Sequence, residues 1–216
     1  MTDQQRHRGR RPASSRATLV DAADELFLEQ GYAATTIEQI TRRAGVSRNT
    51  FFNYFAAKGD LLFAGVDDIC AALAARLGEA GAAGSLAALR DAIVRTAAEV
   101  DVRRIPLAAT QWGAMGILGE ARAAGLARFA TLAETMRRFL ERGAADPGGE
   151  VGAAAGAGPQ GKALWAQAAA YALTAASVAA GLRWLASGVG RGPLAGFIVA
   201  AVDPVCAGFS WPPASL

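Results

Sequence analysis

The sequence predicts an all-helical protein. Hydrophobic residues make up 52% of the 216 positions, and much of that share is alanine, the strongest helix former. Apolar residues recur every three to four positions along most of the chain, and no stretch alternates with the period of two that a half-buried strand needs. Glycine, proline and capping residues interrupt these stretches at intervals typical of helices.

The chain begins with a basic segment. Residues 1–16 carry five arginines against one acid, Asp3, although the net charge of the whole chain is only +3. Concentrated positive charge is typical of segments that contact nucleic acid. We expect residues 1–12 to form a flexible basic arm that reaches a minor groove. A solubilising tail is the alternative.

The first helix is predicted from about Arg16 to Gln30. Leucine, alanine and phenylalanine recur there at three-to-four spacing, and acids occupy the other face. Gly31 follows, in the position where glycine commonly ends a helix.

Two short helices come next. Thr35 and Glu38 fit a capping box, in which the hydroxyl and the carboxylate satisfy orphan backbone amides. They predict a helix of about two turns that Gly45 ends. Ser47 is a natural N-cap for the following helix, which is predicted over residues 48–54.

The rest of the chain predicts further helices separated by breaks. Serine caps, first-turn prolines and glycine runs mark the boundaries. The low-complexity stretch 143–161 is predicted to be a flexible loop. The predicted helices cover residues 58–77, 85–102, 106–119, 122–142, 162–187 and 193–209.

The sequence contains no motif that indicates a catalytic site or a metal site. The single histidine, His7, lies in the basic arm, which removes a Ser-His-Asp arrangement and any site built on several histidines. Cys70 and Cys206 lie too far apart for a metal motif and are expected to be reduced thiols. No GxxxxGK[ST] phosphate loop occurs. We therefore expect no catalytic residue, no cofactor and no metal.

The two short helices and their Ala-Gly-Val turn match a helix-turn-helix, whose second helix enters the major groove of DNA. The run ATTIEQITRRAGVSRNTFFNYFAAKGDLL, preceded by LVDAADELFLEQGY, resembles the TetR family of transcriptional regulators over about residues 16–63. The resemblance implies a helix-turn-helix domain over residues 13–73 and a helical ligand-binding and dimerisation bundle over residues 74–216. It also implies a cytoplasmic homodimer that represses transcription from a palindromic operator and is released by a small molecule.

Twelve residues in this region are candidates for contact with double-stranded DNA. Arg48 and Asn49 suit bidentate contacts with guanine and adenine, although a purely phosphate-binding role for Arg48 stays open. Asn53 and Tyr54 resemble the family's pair that contacts the DNA backbone. The full set is Thr35, Thr36, Arg42, Arg43, Ser47, Arg48, Asn49, Thr50, Phe52, Asn53, Tyr54 and Lys58.

Several of these candidates have a second explanation. Thr35 and Thr36 lie at a helix N-terminus, which favours a phosphate, but they also suit simple capping. Lys58 in a first helical turn opposes the helix dipole, which a phosphate partner would explain; a solvated lysine at a frayed helix end is the alternative, and the family resemblance favours phosphate. Arg42 and Arg43 can reach DNA or complement a helix C-terminus. Phe51 and Phe55 are expected in the core.

The chain departs from the family pattern at two of these positions. Phe52 stands where the family often has tyrosine, so one phenolic contact with phosphate is lost and an apolar contact with a thymine methyl becomes available. Asn49 stands where glycine or alanine is common, which alters the expected base preference.

The second domain is expected to bind a small apolar effector and to dimerise. Few charges interrupt its middle helices, and six residues are candidates for the pocket or for ordinary core: Trp112, Met115, Phe129, Met136, Trp165 and Tyr171. The helices 162–187 and 193–209 resemble the family's dimer pair. Ala172, Ala176, Ala180 and Gly181 would allow close approach of a partner helix or ordinary packing within the chain.

Two alternatives remain at this point. Residues 163–182 have about the length of a membrane span, but their alanine-rich composition favours a buried helix of a soluble protein and no membrane association. The basic arm would also suit a non-specific architectural DNA-binding protein. Such a protein would bind with little sequence preference and a steep salt dependence.

Overall fold

The computed structural model describes residues 15–80, 84–101, 118–144, 158–188 and 192–209. Every regular element in these ranges is helical, which confirms the predicted fold class. The basic arm with His7 lies outside them, as does most of the predicted helix 106–119 with Trp112 and Met115. The elements are α1 (Ser15–Gln30), α2 (Ile37–Ala44), α3 (Arg48–Tyr54), a 3-10 helix (Lys58–Phe63), α4 (Ala64–Glu79), α5 (Leu86–Ala98), α6 (Leu118–Ala144), α7 (Gly158–Ala186) and α8 (Leu194–Phe209).

The chain divides into two compact units. Of the described residues, the first unit holds 15–64 and the second holds those from 65 onward. The predicted domain limit at residue 73 lies inside α4.

In the first unit, α1, α2 and α3 pack around a small apolar core. Leu19, Ile40 and Phe51 are fully buried there. Gly31 ends α1 with a φ of 82°, in the left-handed region that favours glycine, as predicted. Its amide donates to the carbonyl of Phe27 at 3.1 Å.

The capping box of α2 differs from the prediction by one residue. Thr36, and not Thr35, is the N-cap, and its side chain accepts from the amide of Gln39. Gln39 Oε1 accepts in return from the Thr36 amide at 2.8 Å. The prediction on Thr35 and Glu38 was wrong because the buried Thr35 hydroxyl is used within the preceding turn, so the helix begins one position later.

Other helix boundaries also differ from the predicted ones. The segment predicted as one helix from residue 58 to 77 is a 3-10 helix followed by α4, because the Asp60 carboxylate accepts from the amides of Ala56 (3.0 Å) and Ala57 (2.9 Å) and tightens the first turn. Both α6 and α7 begin about four residues earlier than predicted, so α7 takes up the end of the predicted loop 143–161.

The core of the second unit is formed by α5, α6, α7 and α8 together with the end of α4. Phe139, Leu173 and Trp184 are among its largest buried side chains. Trp184 Nε1 donates to the carbonyl of Gly192 at 2.8 Å, which satisfies the one polar atom of a buried indole. The start of α4 is tied to α6 by a bidentate ion pair in which Arg128 donates to both carboxylate oxygens of Asp67, at 2.6 and 2.9 Å.

Helix α7 presents different faces to the core and to the outside. Among the described residues it is the one helix that is long and apolar enough, by length and composition alone, to cross a membrane. A third of the residues in its most apolar segment are buried. Ala166, Ala170 and Leu173 face the core. The opposite face is exposed and also apolar, which differs from the predicted buried helix.

Candidate DNA-contact surface and its surroundings

The turn between α2 and α3 has the geometry that a tight helix-turn-helix needs. Gly45 has a φ of 68°, and its amide donates to the carbonyl of Arg42 at 3.2 Å. The amide of Val46 donates to the carbonyl of Thr41 at 3.0 Å. These bonds close the end of α2, and only three residues separate it from the start of α3.

Ser47 begins α3 as predicted. Its Oγ accepts from the amide of Thr50 at 3.0 Å, and the two hydroxyls are 2.8 Å apart. Both hydroxyls are thus occupied in the cap of the free protein, while Ser47 stays exposed and Thr50 is half-buried.

Helix α3 has one buried face and one exposed face. Phe51 and Phe55 are buried, which confirms their predicted core positions. Phe52 and Tyr54 are 46% and 47% exposed, large fractions for aromatic side chains. Asn53 is also exposed, as are Arg48 and Asn49 at the start of the helix. The outward side of α3 therefore carries cationic, amide, phenolic and aromatic groups together: Arg48, Asn49, Phe52, Asn53 and Tyr54.

Thr35 does not belong to this surface. It is buried, and its hydroxyl donates to the carbonyl of Gly31 at 2.8 Å. Gln30 Nε2 donates to the same hydroxyl at 3.2 Å. The expected contact with phosphate is corrected because the group is neither exposed nor available. Thr36, one residue later, is exposed at the N-cap of α2.

Lys58 makes contacts within the protein, and its contact with phosphate stays a prediction. Its Nζ donates to the carbonyls of Tyr32 (2.7 Å) and Thr35 (2.8 Å) and lies 4.0 Å from the centroid of the Tyr32 ring. The cation is half-buried. The unfavourable position of a lysine in a first helical turn, which suggested a phosphate, is compensated within the protein.

The two arginines at the end of α2 behave differently. Arg43 binds Glu29 through two parallel bonds of 2.7 Å, so it ties α2 to α1. The hydrogen bond from Arg43 holds the pKa of Glu29 below its ordinary value of 4.5. Arg42 is exposed, and its guanidinium forms no ion pair with any residue that the structure describes. Arg42 is therefore the one of the two that is available to DNA.

Four of the six predicted effector-contact residues lie within the described ranges. Met136 is fully buried and accepts a hydrogen bond from Thr174 Oγ1 at 3.5 Å. Phe129 packs edge-on against Tyr171, with ring centroids 5.9 Å apart. Trp165 packs against the core, and Tyr171 is largely exposed.

One open hollow of about 180 Å³ lies between α4 and the end of α5. It is smaller than the pockets of about 300–1,000 Å³ that hold drug-sized ligands. None of the predicted effector residues lines it; the lining is Gly65, Asp68, Ile69, Ala72, Thr96, Glu99, Val100 and Asp101.

The small residues proposed for close helix approach serve mainly the chain's own core. Ala180 is buried, and Ala176 packs against the core cluster. The exposed apolar residues of α7 form another set, spaced alternately by four and three residues, which we call the α7 stripe. The sequence analysis did not identify it, because every face of this helix is rich in apolar residues. The stripe consists of Leu164, Ala168, Tyr171, Ala175, Val178 and Leu182, all exposed.

Comparison with known proteins agrees with this geometry. The family profile described as bacterial regulatory proteins, tetR family, matches residues 19–64, which span α1 to the first residue of α4. The HTH-type transcriptional regulator HbdR of Aromatoleum sp. (strain CIB) is 50% identical over 48 residues. That match covers 22% of this chain and only 21% of the relative.

Solved structures extend the likeness in fold to nearly the whole chain. The complex of SmeT, a repressor from Stenotrophomonas maltophilia, with triclosan has a TM-score of 0.58 at 22% identity, covering 94% of this chain and 98% of that one. Thermus thermophilus FadR in complex with lauroyl-CoA has a TM-score of 0.54 at 24% identity, covering 93% and 98%. The capped helix-turn-helix and the profile match fall on the same residues, so residues 19–64 of this chain are similar to bacterial regulatory proteins of the tetR family.

Proposed function

We propose that this chain is a sequence-specific transcriptional repressor that binds a palindromic operator as a homodimer. The exposed face of α3 carries the proposal. Its outward groups can donate to base edges and to phosphate oxygens, while Phe51 and Phe55 anchor its other face in the core. The similarity of residues 19–64 to bacterial regulatory proteins supports a regulatory role.

The proposed interface is narrower than the set derived from the sequence. Thr36, Arg42, Ser47 and Thr50 lie at its edge, and the outward side of α3 forms its centre. Thr35 is left out because it is buried, and Arg43 and Lys58 are left out because their cationic groups bind other residues of the same unit. We assign this role to the domain of residues 13–73 and effector binding and dimerisation to residues 74–216.

A second copy of the chain is the proposed occupant of the α7 stripe. Its larger members, Leu164, Tyr171 and Val178, recur at intervals of seven, the repeat of a helix–helix seam. With Leu182 they are between 41% and 67% exposed. The stripe carries no charge and runs for about 27 Å at 1.5 Å per residue. One recognition helix reads too few base pairs for useful specificity, so pairing of two chains also suits the operator.

Release by a small apolar effector completes the proposal. Two proteins of similar fold were solved in complex with a small molecule, SmeT with triclosan and FadR with lauroyl-CoA. Both of these ligands have hydrophobic parts. A cytoplasmic location follows from a function on chromosomal DNA.

Footprinting of the full-length protein on the DNA upstream of its own gene tests operator binding. Arg48→Ala is expected to weaken binding to the protected site by about 1–3 kcal/mol, with a much smaller loss on random DNA. Arg95→Ala is the matched control, because it removes the same charge from an exposed site on α5. Equal affinity for all sequences, with a steep salt dependence, would instead indicate a non-specific architectural protein.

Sedimentation equilibrium tests the dimer. Val178→Glu places a carboxylate in the α7 stripe and is expected to yield monomers, whereas Ala163→Glu introduces the same group at an exposed site outside it. A wild-type protein that stays monomeric at micromolar concentration, or that sediments only with lipid vesicles, would contradict the assignment.

A further inference from the structure

We propose that Phe52 positions Arg48 for base recognition, so that Phe52 contributes to operator specificity without itself touching a base. The inference rests on the proposed function and adds to it a role for the residue that departs from the family pattern. It starts from a contact between two exposed side chains of α3.

Arg48 and Phe52 lie four positions apart, which places them on one face of the helix. The Arg48 Cζ is 5.6 Å from the centroid of the Phe52 ring, within the distance of about 6 Å over which a cation is attracted to an aromatic face. Both residues are exposed, so the contact lies on the outward side of the helix.

The Phe52 ring is held from below although nearly half of it is exposed. It packs edge-to-face against Phe51, with centroids 5.3 Å apart and planes at 84°. Phe51 is fully buried, and it also packs against Phe55 at 5.7 Å. Packing against the buried Phe51 therefore orients the Phe52 ring, and the Arg48 guanidinium lies over this oriented ring.

This contact leaves the hydrogen-bonding edge of Arg48 available. The cation–π contact is not a hydrogen bond, so it uses none of the N–H donors of the guanidinium. Arg48 makes no hydrogen bond or ion pair with any described residue, so these donors can meet O6 and N7 of guanine. Holding a long side chain near its bound conformation also lowers the ordering cost on binding.

The role differs from an apolar contact between Phe52 and a thymine methyl. If Phe52 acts through Arg48, replacing it changes the preference at the guanine that Arg48 reads and at no other position. If it touches thymine, the change falls at a thymine. An exposed cation–π contact contributes about 0.5–1 kcal/mol. At about 1.4 kcal/mol per tenfold in affinity, its loss should lower the preference for that guanine about two- to fivefold.

The experiment is selection of binding sites from a randomised duplex library by the full-length protein. Arg48→Ala is expected to abolish the preference for one guanine in each half-site. Phe52→Leu, which keeps apolar bulk without an aromatic face, is expected to weaken that same preference about two- to fivefold. Phe52→Tyr is expected to retain the preference for this guanine. In the Arg48→Ala background, Phe52→Leu is expected to cause no further change in base preference. Circular dichroism of each variant checks that the fold persists.

A shift at a thymine, or an unchanged profile in Phe52→Leu, overturns the inference while the proposed function stands. The same holds if Phe52→Leu still alters base preference in the Arg48→Ala background. A wild-type protein that selects no sequence overturns both. A thermal double-mutant cycle without DNA reports the Arg48–Phe52 contact directly, and the absence of coupling there overturns the inference alone.

Discussion

Replacing Lys58 by methionine tests whether this cation serves the fold or the DNA. Methionine keeps an unbranched side chain of similar length and removes the charge. In the structure, the ammonium group donates to the carbonyls of Tyr32 and Thr35 and lies over the Tyr32 ring. The substitution therefore cuts the tie between the 3-10 helix and the turn that precedes α2.

The expected cost follows from these contacts. Hydrogen bonds from a charged donor contribute about 1.5–3 kcal/mol each, and an exposed cation–π contact contributes about 0.5–1 kcal/mol. The lower ends of these ranges together indicate about 3.5 kcal/mol. Because Lys58 is half-buried, water can rehydrate the carbonyls, so we expect the free energy of unfolding to fall by about 2 kcal/mol.

Urea unfolding followed by circular dichroism measures this loss, and hydrogen exchange should localise it to residues 15–63. Lys162→Met is the matched control, since it removes a lysine charge from α7 in the second unit. The salt dependence of DNA binding supplies the second readout. Each phosphate contact contributes about 0.9 to the slope of log affinity against log salt, and we expect the slope of Lys58→Met to equal that of the wild type.

The opposite pair of results would refute this reasoning. A variant of wild-type stability whose slope is shallower by about 0.9 would show that Lys58 binds phosphate, as the sequence alone suggested. The internal hydrogen bonds would then contribute little to the fold.

Two further substitutions test the turn and the charge network. Gly45→Ala should destabilise the protein by about 1 kcal/mol in urea unfolding, because a residue with a side chain is strained at a φ of 68°, although no atom crowds the new methyl group. Gly78→Ala changes an equally open site within α4, where φ is not positive, and should stabilise the protein by about 0.5–1 kcal/mol. The same sign for both would contradict a left-handed Gly45. Hydrogen bonds from Arg137 and Arg138 lower the pKa of Glu134 from 4.5 to about 2, so this carboxylate stabilises the fold fully above pH 4.5 and loses its contribution as the pH falls toward 2. Glu134→Gln should therefore be less stable than the wild type at pH 7 and equal to it near pH 2 in acid unfolding, and a difference that does not change with pH would be incompatible with this assignment.

Local signals were sufficient for the helix-turn-helix. Gly31 and Gly45 end helices because only glycine adopts a positive φ without strain, and Ser47 caps α3 because its hydroxyl reaches the amide three residues on. Phe51 and Phe55 were assigned to the core from spacing alone, and both are buried. Each of these features depends on residues within one turn of the chain.

The roles of the polar candidates were decided by contacts that span longer stretches. Lys58 meets carbonyls 23 and 26 residues away, and Arg43 meets Glu29 14 residues away. Spacing along the chain carries no information about such partners, so the sequence could identify these groups as cations but could not tell that the protein itself satisfies them.

The sequence by itself determined the fold class, the capped turn and the composition of the recognition helix, because backbone conformation and helical periodicity depend on neighbouring residues. Only the tertiary structure decided which polar side chains stay available and which face of α7 is left uncovered. Every face of that helix is rich in apolar residues, so periodicity could not distinguish the inner face from the outer one; packing against α6 and α8 did.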